Sequence, residues 1–322
     1  YHVMNRGNHQ DSIFKDNVDR GIFLKTLAET SLASGWVVHS FVLMDNHYHL
    51  LVETQRPTLV KGMQSLNSTY TRRYNVRHKT FGHLFQGRYK ALVVDGENPG
   101  YFLTVSDYIH LNPVRGRGRR AHDLKGLLKD PWSSAGWLAG SRKKRPPWLR
   151  WERVYGQLGL KRWSGRWRRE YRAYLERRMG EVRGGEEGWR RIRRGWCLGA
   201  EGFVEKMKGR LEAMAEGMPR QPDRWAGEAV EEMEAGRAMR LLERGAQRLG
   251  YARVEDVADM DRYLLGRWVR KQTRVRVPWL AGKLGVRTRG GMSHGITWVG
   301  RRVAEDSSLK RKWKLLISQK VA

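Results

Sequence analysis

The sequence predicts an α+β protein: a ferredoxin-like antiparallel sheet with helices on one face, followed by a mostly α-helical C-terminal region. Three observations carry this. Up to Pro113, β-prone runs and helix-period stretches alternate in the order β-α-β-β-α-β-α. Two of the β-prone runs are joined by an Asp45-Asn46 turn, the mark of a hairpin. Beyond residue 150, apolar residues recur at helical rather than alternating spacing.

Residues 1–6, YHVMNR, read as a short strand ending at Gly7-Asn8. Asp16 to Ser34 reads as a helix, with Ile22, Phe23, Leu27 and Leu32 near helical spacing and Gly35 as its stop. Trp36 to Met44 and His47 to Glu53 are rich in β-branched and aromatic residues and form the hairpin strands. Thr58 to Tyr74 is a second helix, with Leu59, Met63, Leu66, Tyr70 and Tyr74 on one side. Tyr89 to Asp95 is the next strand. Asn98 then caps a helix whose first turn holds Pro99. That helix must end near Asn112-Pro113, because a residue before proline disfavours helical dihedrals.

Further on, Trp163–Met179, Glu201–Ala215 and Glu228–Leu249 read as helices. Val277–Gly285 and Gly290–Arg302 are two short helical stretches around Gly285, a layout that suits a helix-turn-helix. On that reading His294 and Arg301 face DNA; a small helical bundle without DNA contact is the alternative.

The 322 residues hold 63 Lys+Arg against 33 Asp+Glu, a net charge of +30. Such an excess repels itself in the compact state, and a polyanion such as nucleic acid offsets it. Residues 1–149 carry +11 and residues 150–322 carry +19, so the charge is not a detachable tail. With 40% hydrophobic residues and 14 Trp, the chain is not a disordered basic segment. Its one cysteine, Cys197, excludes an internal disulfide and a cysteine-rich zinc module, and is expected to be buried and inert. No apolar run approaches the ~18 residues of a membrane span, and no secretory signal is visible. The chain opens on Tyr1, so its natural start is expected upstream. Composition breaks divide it into an α+β domain over 1–121, a basic Trp/Arg-rich connector over 122–245, and a helical domain over 246–322.

His47 and His49 lie two apart on a predicted strand, so both imidazoles point one way and Tyr48 the other. Two convergent neutral imidazoles can hold a divalent metal. The spacing taken alone favours two partly exposed sheet histidines with no ligand. Tyr108 and Asn112 are four apart, which a helix would place on one face. A tyrosine oxygen can attack phosphorus, and an amide can give a metal an oxygen ligand. Tyr108 could instead pack with Tyr101 and Val105 on an amphipathic face.

Four stretches settle between these readings: YHVMNRGN at 1–8, MDNHYHLLVE at 44–53, GHLFQGRYKALVVD at 82–95 and YIHLNPVRG at 108–116. Together, over residues 1–137, they resemble the HUH single-tyrosine transposases, in particular the REP-associated tyrosine transposase branch. The resemblance implies an HUH nuclease fold and a metal-dependent endonuclease and strand transferase. The substrate is single-stranded DNA beside hairpin-forming palindromes, cut through a 5′-phosphotyrosine. It places His47, His49 and Asn112 as ligands of Mg²⁺ or Mn²⁺, and Tyr108 as the nucleophile. A monomer or homodimer in the bacterial cytoplasm, associated with the nucleoid and without membrane contact, is expected. Asp45 departs from the family, which has proline there; it would alter the turn or add a carboxylate near the metal. A non-catalytic, sequence-specific DNA-binding regulator derived from a transposase is the alternative function.

Arg72, Arg73, Arg88, Lys90, Arg115 and Arg117 are the expected DNA contacts in the first part, with Lys90 nearest the scissile phosphate. His83 and Gln86 match the family stretch without a derivable role. His2, His39 and His110 are expected to be structural, with a proton relay as the other reading of His110. The Trp/Arg-rich stretch 163–196 suits either base stacking or an amphipathic helix. The stretches 194–204 and 259–303 resemble longer members of the branch.

Overall fold

The computed structural model describes residues 1–115, 121–140, 146–160, 164–183, 189, 192, 195–216 and 228–318. The chain divides into two units, Tyr1–Met207 and Lys208–Ala322.

In the first unit, strand β1 is His2–Arg6. Helix α1, Asn17–Ser34, starts where Asp16 accepts the amides of Val18 and Asp19, and stops at Gly35, whose φ of 65° suits a residue without Cβ. Strands β2 (Trp36–Leu43) and β3 (His47–Thr54) form the hairpin, with an irregularity between Val38 and Ser40. Helix α2, Leu59–His78, runs one turn further than its apolar side suggests, and ends at Lys79 in the left-handed region. Strand β4 is Lys90–Val94, and helix α3, Pro99–His110, is capped by Asn98.

These strands lie in the order β2-β3-β1-β4, the ferredoxin-like arrangement, with every neighbouring pair antiparallel. A fifth strand, β5 (Cys197–Leu198), adds parallel to β4 and makes the sheet mixed. The stretch around Cys197 therefore forms a sheet edge, and Cys197 is half-buried there rather than buried. Two residues are too short for periodicity to reveal.

Phe23, Tyr48, Tyr70 and Phe85 pack together on the side of α1 and α2. Helix α3 packs on β2 and β3 from the other face, where Ser40 and Ser106 hydroxyls meet at 2.8 Å. Helices α4 (Leu124–Lys129), α5 (Ser134–Ala139), α6 (Glu152–Gln157) and α7 (Gly165–Arg183) also belong to this unit. His110 is fully buried and tied to Ser134 Oγ (2.7 Å) and Tyr171 Oη (2.8 Å), which joins α3 to α5 and α7. Burial holds its pKa at about 3, so it is a neutral structural bridge. Leu32, expected inward on α1, is 87% exposed: the helix turns it away from the strip that Phe23 and Leu27 bury.

Helix Glu201–Glu216 spans the division between the units. The second unit is helical, with segments Glu228–Arg248, Asp259–Gln272, Val277–Lys283, Arg289–Arg302 and Ser307–Ile317. They enclose their own core, including Leu242, Leu265, Leu280, Met292, Val299 and Leu316. Buried Asp261 is paired with Lys312 (2.7 Å) and Tyr251 Oη (2.7 Å). Gly285, at φ 65°, makes the turn between the two short helices. Among the described residues no helix is long and apolar enough to cross a membrane.

Candidate active site

Alternation along β3 puts His47 and His49 on one sheet face. Tyr48 points the other way and donates from Oη to Asn67 Oδ1 (2.7 Å). Strand pairing widens the histidine face. Met4 lies opposite His49, Arg6 opposite His47, and Met4 also opposite Lys90 on β4. Opposed residues share a face. All five line one cavity of about 560 Å³, together with Gln86, Arg88 and Tyr108.

Tyr108 reaches this cavity from α3. Its ring stands edge-on to His49 (5.4 Å between centroids) and His2 (5.5 Å). The residue is 4% exposed. The Arg115 guanidinium sits 4.8 Å from the Tyr108 centroid and 5.0 Å from that of Trp189, and the two rings are 5.4 Å apart. A cation and an indole therefore cover the phenol ring.

The imidazoles are held in defined states. Asn46 Nδ2 donates to Gln10 O (2.9 Å), which orients the amide so that Oδ1 faces His47 Nδ1 at 2.7 Å. An amide oxygen only accepts, so Nδ1 of His47 carries a proton, and in the neutral ring the lone pair lies on Nε2. His49 Nδ1 meets His2 Nε2 at 2.9 Å, and the two rings stack. Burial drives the His49 pKa well below the usual range, and the adjacent His2 and His47 lower it further. Burial likewise takes His2 down to about 3. Both are neutral, the form that binds metal. His47 and His49 stand perpendicular, 5.1 Å between centroids. This donor chemistry fits a divalent ion. Among the described residues no three His, Cys, Asp or Glu side chains are arranged to hold one ion, so a third donor would be an amide, water or substrate oxygen.

Of the other expected residues, Lys90 and Arg88 line this cavity, and Arg115 covers Tyr108. Asn112 is half-buried in the single turn Asn112–Val114 and does not line it. Arg72 is exposed on α2 and lines a neighbouring cavity. Arg73 instead turns to α1, paired with Glu29 (2.8 Å) and donating to Thr26 (2.7 Å). Asp45 pairs with Arg20 (2.5 Å), so its carboxylate serves the hairpin turn and not the cavity. Arg117 lies outside the described residues. His294 and Arg301 are exposed on helix Arg289–Arg302 of the second unit.

Sequence reasoning missed His2, Arg6 and Trp189 as neighbours of the site. Alternation in HVMNR already placed His2, Met4 and Arg6 on one face. Only the pairing of β1 with β3 shows that this face is the one carrying His49. Trp189 has no local signal.

Residues 1–112 match the family model described as Transposase IS200 like. The chain is similar to the IS200-like transposase family over this region. No curated protein matches the chain. Among solved structures, a REP-associated tyrosine transposase bound to a REP hairpin is similar at 12% identity and a TM-score of 0.34. The likeness covers 46% of this chain and 82% of that one. The matched residues include His47, His49 and Tyr108, and end at Asn112.

Proposed function

We propose that the protein is a metal-dependent endonuclease and strand transferase, a transposase that acts on single-stranded DNA beside hairpin repeats with Tyr108 as nucleophile. One observation carries this reading. Tyr108, His47 and His49 meet in a cavity that also holds Arg6, Arg88 and Lys90 and no carboxylate. Such a lining favours a phosphodiester. The similarity of residues 1–112 to a transposase family supports DNA as the substrate.

His47 and His49 would hold Mg²⁺ or Mn²⁺, with Asn112 as the third donor that the family motif implies. The ion would supply a Lewis acid at the scissile phosphate. Arg88 and Lys90 bind the phosphate from the β4 side. Tyr108 Oη forms a bond to phosphorus as the bond from phosphorus to the 3′-oxygen breaks. The phenolic proton balances the new 3′-hydroxyl, and a 5′-phosphotyrosine remains. Attack by a second 3′-hydroxyl on that link rejoins DNA and returns the proton to Tyr108, with no external energy source. In the second unit, helices Val277–Lys283 and Arg289–Arg302 are the helix-turn-helix candidate for duplex flanking the hairpin, with His294 and Arg301 toward DNA.

The test is a covalent-adduct assay with single-stranded hairpin oligonucleotides taken from DNA flanking the gene, with Mg²⁺ or Mn²⁺. A protein–DNA adduct in the wild type and none in Tyr108→Phe, with binding retained, is the expected result. An adduct that persists in Tyr108→Phe moves the nucleophile elsewhere. The burial of Tyr108 under Arg115 and Trp189 favours a second reading, a DNA-binding regulator without cleavage. Duplex binding with no adduct on any hairpin would select it.

A further inference from the structure

A second cavity, of about 1050 Å³, lies between α2 and the segment from Thr80 to Tyr89. It shares Gln86, Gly87 and Arg88 with the Tyr108 cavity, so the two adjoin across that segment. Gln64, Ser68, Arg72 and Val76 line it from α2 at four-residue spacing, all of them exposed. That row is about 18 Å long at the helical rise.

The lining has a consistent chemistry. It contains Arg72, Arg88 and His83 and no carboxylate. The arginines of α2 make the point sharper. Arg73 and Arg77 are spent on Glu29, Asp16 and Asp19 of α1 and its cap, whereas Arg72 meets no acid among the described residues. Side-chain amides and hydroxyls, such as Gln64, Ser68 and Thr71, make up much of the remaining wall. The floor is apolar, with buried Met63 and Phe85. Beside Thr80, Phe81 is 98% exposed, and Val76 is 76% exposed. An aromatic ring held in water at the rim of a basic, acid-free groove is a stacking platform for a base.

We propose that this groove binds a run of unpaired DNA continuous with the strand held at the Tyr108 cavity, with Phe81 stacking a base, Arg72 and Arg88 on phosphates, and the α2 amides on base edges. The proposal rests on the single-stranded DNA reading above and adds where the flanking strand runs. Arg88 joins the two stretches, since it lines both cavities.

The experiment uses the full chain and a dT20 oligonucleotide carrying 4-thiothymidine, photocrosslinked and mapped by mass spectrometry. Binding of plain dT20 is followed in parallel by fluorescence anisotropy. Crosslinks are expected in the peptides covering Thr80–Tyr89 and Gln64–Val76. Phe81→Ala should weaken dT20 binding by about tenfold, within the range of losing one stacked base. Arg72→Ala should weaken it about threefold and reduce the slope of log affinity against log salt by about 0.7. Ser68→Trp, which fills the groove from an exposed position, should abolish the mapped crosslinks. Lys25→Ala, an exposed lysine on α1, is the charge control and should leave all three readouts unchanged.

Crosslinks that map elsewhere, or variants that bind dT20 as the wild type does, overturn the proposal. So does a change in oligomeric state in Phe81→Ala and Ser68→Trp with DNA affinity intact, which would make the groove a contact between copies of the chain. The adduct assay separates the two readings. A groove that fails while Tyr108 still forms an adduct removes only this proposal. Absence of any adduct removes the nucleophile assignment, and mapped crosslinks would then still stand as binding.

Discussion

Asp107, next to Tyr108 on α3, gives the first unit a stability term that runs against ordinary acid denaturation. The carboxyl is 2% exposed and accepts from Tyr174 Oη (2.6 Å) and Arg178 Nε (2.7 Å), both on α7. Glu181 lies close enough to oppose its charge. Burial dominates and raises the pKa from 3.8 to about 6, against the lowering by Tyr174 and Arg178. The folded state therefore binds the proton more tightly than the unfolded chain. Stability from this group is fully present below pH 3.8 and is lost as pH rises through about 6. Moving a carboxyl over that interval is worth about 3 kcal/mol. Asp107→Asn removes the titration while keeping the side chain's size. Calorimetric melts of the full chain, wild type against Asp107→Asn at a series of pH values, should show the first unit's transition favouring the variant progressively. The difference should grow by about 3 kcal/mol between pH 3 and pH 7. Other carboxylates titrate in both proteins and cancel in that difference. Parallel wild-type and variant curves would refute the reasoning, because they would mean that burial of Asp107 costs the carboxylate nothing.

The remaining predictions concern the ligand set and the packing beneath it. His2→Ala removes the partner of His49 Nδ1 and should weaken Mn²⁺ binding about 10–100-fold, with partial recovery in His2→Gln; calorimetric titration with equal affinities would refute a positioning role. A Cβ on Gly62 would stand 2.2 Å from Trp36 Cζ2, with the Trp36 ring already buried, so Gly62→Ala should cost about 1–3 kcal/mol in a thermal melt. An unchanged melting temperature would mean that α2 can shift away from β2 at little cost.

Much of the fold was legible because its signals are local. Asp16 and Gly35 mark the ends of α1 through their own hydrogen bonds and dihedrals, and Asn98-Pro99 marks the start of α3 in the same way. The His47–His49 pair needed only strand alternation to share a face. Residues whose environment is set by distant partners were not legible. Leu32 has the spacing of a core residue but is 87% exposed, uncovered by any other element among the described residues. Arg72 and Arg73 look alike in sequence, and one step of about 100° around α2 separates a groove from an ion pair with α1.

The sequence by itself determined the order of the elements, the excess of positive charge, and the types of group that could do chemistry. Periodicity and capping act over a few residues, so they survive without any knowledge of the fold. Only the tertiary structure decided which groups meet. The pairing of β1 with both β3 and β4 brings His2 behind His49 and sets Lys90 across Met4 from His49, and the packing of α3 on the same face delivers Tyr108. Strand register and helix docking follow from the burial of whole faces, a sum over many long-range contacts, and no local stretch of the chain encodes that sum.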